Sequence, residues 1–401
     1  MAELETFRRE TRDWLTKNAP PDIVGLPAND LEGNWGGRKA TYAVPGMKTW
    51  LLRMAERGWT APTWPKEYGG GGLSPAEGKV LSQEMAKLRL PPPLIGFGLT
   101  MIGPTLLQYG NEEQKREHLG RICRGEIRWC QGYSEPGAGS DLASLQTKAV
   151  REGDDFLITG TKIWTSYADK SDWIFALVRT DPAGKKQDGI TFLLIDMQTP
   201  GVSVRPILLI SGKSPFCETH FENVSVPVRN VIHKINAGWT VAKALLGHER
   251  SMIADAFGGG GGGQRTARMS ALASLACAQL GGADGRIADA VLRDRVALED
   301  MDTRAFSFTV QRAKDGAKAG HRPGPESSIF KVYATELNMR RHELMIQTLG
   351  PSGIGWEGPG FAESDLETTR DWLRSRGNSI EGGTSEVQLN IIAKRVLGLP
   401  D

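Results

Sequence analysis

The chain has 401 residues, with 49 Lys+Arg against 47 Asp+Glu, a formal net charge of +2 and 39% hydrophobic residues. That length holds two or three domains, each able to bury a core, and the balanced charge gives no electrostatic case for a nucleic-acid or polyanion binder. The longest clean apolar run, Trp173 to Val178, is far short of the ~20 residues that span a bilayer, and neither end carries a targeting or lipidation signal, so a soluble, cytoplasmic protein is expected.

From residue 1 to about 125 the pattern is helical. Leu4, Phe7, Thr11, Trp14 and Leu15 recur at three- and four-residue spacing, as do Val80, Leu81, Met85 and Leu88, then Leu106, Leu107 and Tyr109. The Gly/Pro/Trp-rich stretch from Trp59 to Pro75 is loop. From about 126 to 235 short runs rich in β-branched and aromatic residues take over: Phe156 to Thr159, Trp173 to Val178, Ile190 to Ile195, Val202 to Val204 and Thr219 to Phe221. Turn residues separate them, which suggests an antiparallel barrel or sandwich. From about 236 helices return. Trp239, Ala242, Leu246, Glu249 and Ile253 lie on one stripe, and Ile329, Tyr333, Leu337, Leu344 and Thr348 track a long helix. The last helix starts at Thr384 or Ser385, where Ser385 and Gln388 have capping-box spacing. The six-glycine run Gly258 to Gly263 should break the helix that contains Glu249, and it lacks the Lys-Ser/Thr ending of a phosphate loop. The expected organisation is an N-terminal helical domain over 1–125, a middle β domain over 126–235 and a C-terminal helical domain over 236–401, an α+β multidomain protein.

Two segments carry chemistry. In Tyr133-Ser134-Glu135-Pro136-Gly137-Ala138-Gly139-Ser140-Asp141, a hydroxyl precedes a Gly/Pro turn whose amides can approach an anion or a ring closely. A plain strand-connecting turn has the same composition. In Gly160-Thr161-Lys162-Ile163-Trp164-Thr165-Ser166, a strand would turn Trp164 and Ser166 to one face, where an aromatic beside a hydroxyl suits a planar heterocycle. The competing role is a core tryptophan. Four scattered cysteines and six histidines form no disulfide framework or metal-ligand spacing, so no metal is expected.

Together these segments resemble the acyl-CoA dehydrogenase family of flavoproteins. The resemblance runs in order through Phe221-Glu222-Asn223-Val224-Ser225-Val226-Pro227, Gly238-Trp239, Gln347-Thr348-Leu349-Gly350 and Gly383-Thr384-Ser385-Glu386, across essentially the whole chain. It implies a helical, β-barrel and C-terminal four-helix-bundle fold, FAD as cofactor and an acyl-CoA substrate. It also implies α,β-dehydrogenation, with a carboxylate removing the α-proton and hydride passing to flavin N5. Electron-transfer flavoprotein would be the acceptor, and a homotetramer the assembly. By position, Tyr133, Ser134, Trp164 and Ser166 resemble the residues around the isoalloxazine. Ser140 and Arg250 resemble substrate contacts. Gln347 and Gly350 resemble the segment that reaches the FAD of a neighbouring subunit, Thr384 and Glu386 resemble further FAD contacts, and Arg286 is what remains of a family segment that meets the FAD pyrophosphate.

The base departs from the commonest family pattern. Many members carry the catalytic glutamate directly before a Gly-Thr pair, and here that position is Gly382. Glu381 is one residue early, and proton transfer needs ~2.6–3.2 Å heavy-atom reach. Long-chain and isovaleryl-type members place the glutamate before an arginine on the first C-terminal helix, where this chain has His248-Glu249-Arg250. Glu249 is therefore the expected base and Glu381 the alternative. The Gly382 N–H would hold the thioester oxygen, a contact worth ~3 kcal/mol. The same fold hosts acyl-CoA oxidases and flavin monooxygenases, and a flavin-binding non-catalytic partner subunit of a heteromeric dehydrogenase is an alternative of another class.

Overall fold

A computed structural model describes residues 2–26, 34–257, 270–282, 284–318, 324–325 and 327–400; the side chains of residues 2, 248–257, 317 and 318 lie outside that description. The chain separates into two compact units, Met1–Ile207 with Pro215–His248, and Leu208–Ser214 with Glu249–Asp401.

The first unit opens with helices α1 (Ala2–Asn18), α2 (Pro45–Glu56), α3 (Pro75–Lys87), α4 (Gly103–Tyr109) and α5 (Glu112–Cys123). A core shared by α1, α2 and α3 holds Leu15, Trp50, Met54, Trp59 and Leu81, so the first two stripes visible in sequence are faces that pack. Both α3 and α5 begin with a capping box, Ser74 with Glu77 and Asn111 with Gln114, which satisfies amide donors that a helix start leaves unpaired. The Gln114 amide also donates to Arg229 O at 2.7 Å and Val231 O at 2.8 Å, tying α5 to the chain beyond the sheet.

The sheet, among the described residues, has strands β1 (Trp129–Gly132), β2 (Lys148–Glu152), β3 (Asp155–Ser166), β4 (Trp173–Arg179), β5 (Ile190–Asp196), β6 (Val202–Ile207) and β7 (Phe216–Pro227). They run in the order β1-β4-β2-β3-β7-β6, with β5 on β4. Most pairs are antiparallel, but β1 lies parallel to β4, and β2 meets β4 in one parallel pair. The sheet is thus mixed where a purely antiparallel one was expected.

His118 on α5 is 1% exposed and sits between the rings of Trp129 and Trp173, 5.3 and 4.9 Å away. Burial, reinforced by the charge of Arg121, pushes its imidazole down to about 4. An unfolded histidine titrates near ~6.5, so between these values the unfolded chain binds the extra proton. Stability from this site is therefore complete above pH ~6.5 and lost as pH falls to ~4, by about 3 kcal/mol. Urea midpoints measured from pH 7 to 4 should fall less steeply for His118→Gln than for the wild type; parallel curves would refute the assignment.

The helix α6 (Gly238–Phe257) leads into the second unit, followed by α7 (Ala271–Leu280), α8 (Ala290–Lys318), α9 (Ser327–Leu349), α10 (Glu363–Ser375) and α11 (Ser385–Ile391). Among the described side chains of α6 the buried ones with apolar character are Val241, Ala242 and Leu245, with Trp239 and Leu246 flanking them; Glu249 and Ile253 of the expected stripe lie outside that description. The expected long helix is α9. At α11 the cap is Thr384, whose hydroxyl accepts from Val387 N at 3.2 Å. The Ser385–Gln388 box does not form; the Gln388 amide reaches back to Gly382 O at 3.3 Å instead. The run Gly258 to Gly263 lies outside the described residues. Among the described residues no helix is long and apolar enough to cross a membrane.

Candidate active site

The candidate surface in the first unit is built on the exit of β1 and the end of β3. After Ser134 the chain makes a tight turn, with Glu135 and Ala138 exchanging both backbone hydrogen bonds at 3.0 Å. A Cβ at Gly137 or Gly139 would meet nothing within 4 Å, and neither has positive φ. Neither backbone conformation nor the chain's own packing demands these two glycines. They leave bare main chain facing open space, an arrangement suited to close approach by a ligand. Ser140 beside them is exposed, and Asp141 pairs with Lys186 at 2.8 Å.

Beneath this turn lies a buried ion pair. Lys162 is wholly buried, and its ammonium donates to Glu135 Oε1 at 2.7 Å and Tyr133 O at 3.1 Å. The Glu135 carboxylate also accepts from Gln146 N at 2.6 Å and Thr147 N at 2.8 Å. Burial drives the lysine down to about 8 against the pull of Glu135. Burial works to raise the glutamate, but the Lys162 charge and the amide donors outweigh it and hold it below its ordinary range. With Ile163 N donating to Ser134 O at 2.9 Å, these bonds fasten the two motif segments into one surface. Tyr133 is 5% exposed, edge-on to Phe175 and Phe192, so its ring serves the core of the sheet.

On that surface stands Trp164. The β3–β7 register slips between Lys162 and Thr165, a bulge that re-aims side chains. Thr165 turns inward and donates to Cys217 O at 2.8 Å. Trp164, at φ 60°, is 51% exposed and touches Phe216 edge-on at 5.9 Å, while Ser166 is half-buried two residues on. The core-tryptophan role is excluded. A bulky residue in the left-handed region is strained by ~1–2 kcal/mol, and the strain here presents an indole to solvent.

Further candidate residues belong to the other unit and are described by themselves. Gly382 and Gly383 have φ 66° and 88°, and a Cβ on Gly383 would come within 2.4 Å of Gln388 Nε2. The Gly382 N–H has no hydrogen-bond partner among the described residues. Glu381 is engaged by Arg374 at 2.6 Å and by Asn378. Thr384 caps α11 and Glu386 is exposed. Gln347, near the end of α9, accepts from Arg295, and Gly350 follows at φ 56° with open space over its Cα. Arg286 is a surface residue, its side chain 76% exposed and 3.9 Å from Asp284. The side chains of Glu249 and Arg250 lie outside the described residues.

Sequence reasoning missed the Glu135–Lys162 pair, Arg295 and Lys331. The available signal for Lys162 was parity: it follows Phe156, Ile158 and Gly160 at even positions of β3, on the face that carries the core.

The comparisons with known proteins cover the chain from end to end. Family models described as the N-terminal, middle and C-terminal domains of acyl-CoA dehydrogenase match residues 1–126, 130–224 and 236–397. The chain is 34% identical over 400 residues to acyl-CoA dehydrogenase IpdE1 of Mycobacterium tuberculosis, covering 100% of this chain and 99% of the relative. It is 33% identical to FadE26 of the same organism, covering 99% and 97%. Among solved structures it resembles the Tcur3481-Tcur3483 steroid ACAD, with TM-score 0.76, 31% identity and coverage of 100% and 98%. It also resembles a chain of the ChsE4-ChsE5 complex from Mycobacterium tuberculosis, with TM-score 0.73, 29% identity and the same coverage.

Proposed function

The chain belongs to the acyl-CoA dehydrogenase family, and we propose that it binds FAD and desaturates a bulky, ring-bearing acyl-CoA between the α and β carbons. The observation that carries this is Trp164, an indole held out of the core on a strained bulge beside the bare turn at Gly137 and Gly139. Trp164 would stack on the ring system, Ser134 and Ser166 would hydrogen-bond its edge, and the turn would bring main chain against it. Bound FAD supplies the hydride acceptor.

The remaining work falls to the chain's own residues. The Gly382 N–H would donate to the thioester oxygen, stabilising the enolate charge that develops there and so acidifying the α-carbon. Glu249 takes the α-proton, Arg250 and Ser140 contact the substrate, and Gln347, Gly350, Thr384 and Glu386 hold more distant parts of the cofactor. The ring-bearing substrate is inferred from the steroid ACAD among the relatives.

Electron-transfer flavoprotein is the proposed acceptor, and the active species is multi-subunit. On α8, Val291, Leu298, Met301 and Phe308 are each more than half exposed, at spacings of seven, three and seven that make a heptad seam for another helix. The homotetramer that the family resemblance implies and a pairing with a different chain, as the two-chain names of both solved relatives indicate for those proteins, are separated by light scattering on the purified chain.

One experiment tests the chemistry and the cofactor surface together. Anaerobic titration with straight-chain, branched and steroid-ring acyl-CoAs should bleach the flavin of the wild type, most completely with the ring-bearing thioester. Trp164→Gly relieves backbone strain while losing one aromatic contact, so its stability should stay within ~1.5 kcal/mol of wild type, where truncating a core tryptophan costs ~3–5 kcal/mol. Its flavin affinity should fall by about tenfold or more. Unchanged flavin binding would remove Trp164 from the site, and flavin that no thioester reduces would overturn the dehydrogenase reading.

A further inference from the structure

We infer that Glu381 is a positioning residue, clamped by Arg374 and Asn378 so that the elbow behind it aims the Gly382 N–H. The inference rests on the proposal that this N–H holds the thioester carbonyl. It concerns a carboxylate that lies one residue from the position where many family members carry their base.

Both Glu381 oxygens are already taken. Arg374 Nη2 donates to Oε2 at 2.6 Å, while Asn378 Nδ2 and Arg374 Nη1, the latter at 3.4 Å, donate to Oε1. Asn378 is itself 4% exposed and accepts from Asn338 Nδ2 at 2.8 Å, so the clamp is anchored on α9. The Glu381 N–H donates to Gly377 O at 3.0 Å, which closes the turn behind the elbow. In front, Gly382 and Gly383 take left-handed φ, and the Gln388 amide holds Gly382 O at 3.3 Å. The Glu381 N–H, the Glu381 carboxylate and the Gly382 carbonyl are thus committed, while the Gly382 N–H has no hydrogen-bond partner among the described residues. Below lies Lys331 of α9, 1% exposed, whose ammonium has no hydrogen-bond partner among the described residues. Burial holds that ammonium below its ordinary range, and the charges of Glu381, Glu386 and Glu336 offset part of the effect. A base at position 381 would have to leave an ion pair before it could accept a proton.

The clamp fixes geometry more than it stabilises the fold. Arg374 and Glu381 are 28% and 36% exposed in their side chains, and such pairs contribute ~0–1 kcal/mol, so variants should fold and keep their flavin. Displacing a catalytic contact by about an ångström costs on the order of 10²-fold in rate.

The test uses flavin-loaded wild type, Glu381→Gln, Arg374→Met and the double variant, reduced anaerobically by whichever acyl-CoA bleaches the wild type. Each single variant should lower kcat by roughly 10- to 100-fold with KM within about threefold. The double should be no worse than the poorer single, because both changes open the same clamp. The acidic limb of the pH–rate profile should persist in Glu381→Gln. Loss of that limb with near-complete loss of turnover in Glu381→Gln, while Arg374→Met stays active, would make Glu381 the base and overturn the inference. Wild-type rates in both single variants would also overturn it. A wild type that no thioester reduces would instead fail the proposed function before any variant is compared.

Discussion

Glu249→Gln is expected to lower turnover roughly 10³-fold while the purified protein keeps its flavin. The amide preserves size and most hydrogen bonding but has no lone pair basic enough for an α-proton. That proton is weakly acidic even when the thioester oxygen is held, so the proposed reaction needs a positioned base as well as the N–H donor proposed at Gly382. The assignment to Glu249 rests on exclusion as much as on position. Gly382 has no side chain to offer, and the carboxylate beside it is occupied by Arg374 and Asn378. Single-turnover flavin reduction under anaerobic conditions reads the chemical step directly. Compared with Glu381→Gln, the Glu249 variant should be slower by a further order of magnitude or more and should lose the acidic limb of the pH–rate profile. A Glu249→Gln protein reduced within tenfold of the wild-type rate would end the assignment.

The sequence made the deeply buried elements plain and hid those whose identity depends on partners. Trp173 to Val178 and Ile190 to Ile195 read as strands because β4 and β5 are buried on both faces, leaving unbroken apolar runs. The long helix α9 showed through its apolar residues for a similar reason. β2 was invisible because Ala149 is its one buried residue, so Lys148–Glu152 reads as a polar connection. The parallel pairing of β1 with β4 is set by a crossover, which no local pattern records. At the candidate site, the motifs marked both segments, but their geometry comes from features without a period. The bulge that turns Trp164 outward is a register slip against β7, visible only once the partner strand is known. Lys162 belongs to a residue type that is almost never fully buried, and its partner lies 27 residues away, so composition argued against the role it has.

That buried pair makes the second large expectation. Glu135→Ala should destabilise the protein by ~3–5 kcal/mol, the usual result of stripping one partner from a buried ion pair. The loss has two sources on the page. The Lys162 ammonium keeps only Tyr133 O as an acceptor, and the N–H groups of Gln146 and Thr147 lose the carboxylate that receives them. Lys162→Met should cost less, because Glu135 would still accept both amides and a thioether chain fills the lysine's volume without a charge. Adding Glu135→Gln to Lys162→Met should cost little more, since no full charge is then left buried. Urea unfolding of the apoprotein, with unchanged m-values, gives these differences directly. Because the same bonds join the Ser134 turn to the strand that carries Trp164, the ranking of the three variants in stability should reappear in their flavin affinity. An ion pair that served the fold alone would separate the two rankings, and a Glu135→Ala protein within ~1 kcal/mol of wild type would mean that the pair is solvated when the cofactor is absent.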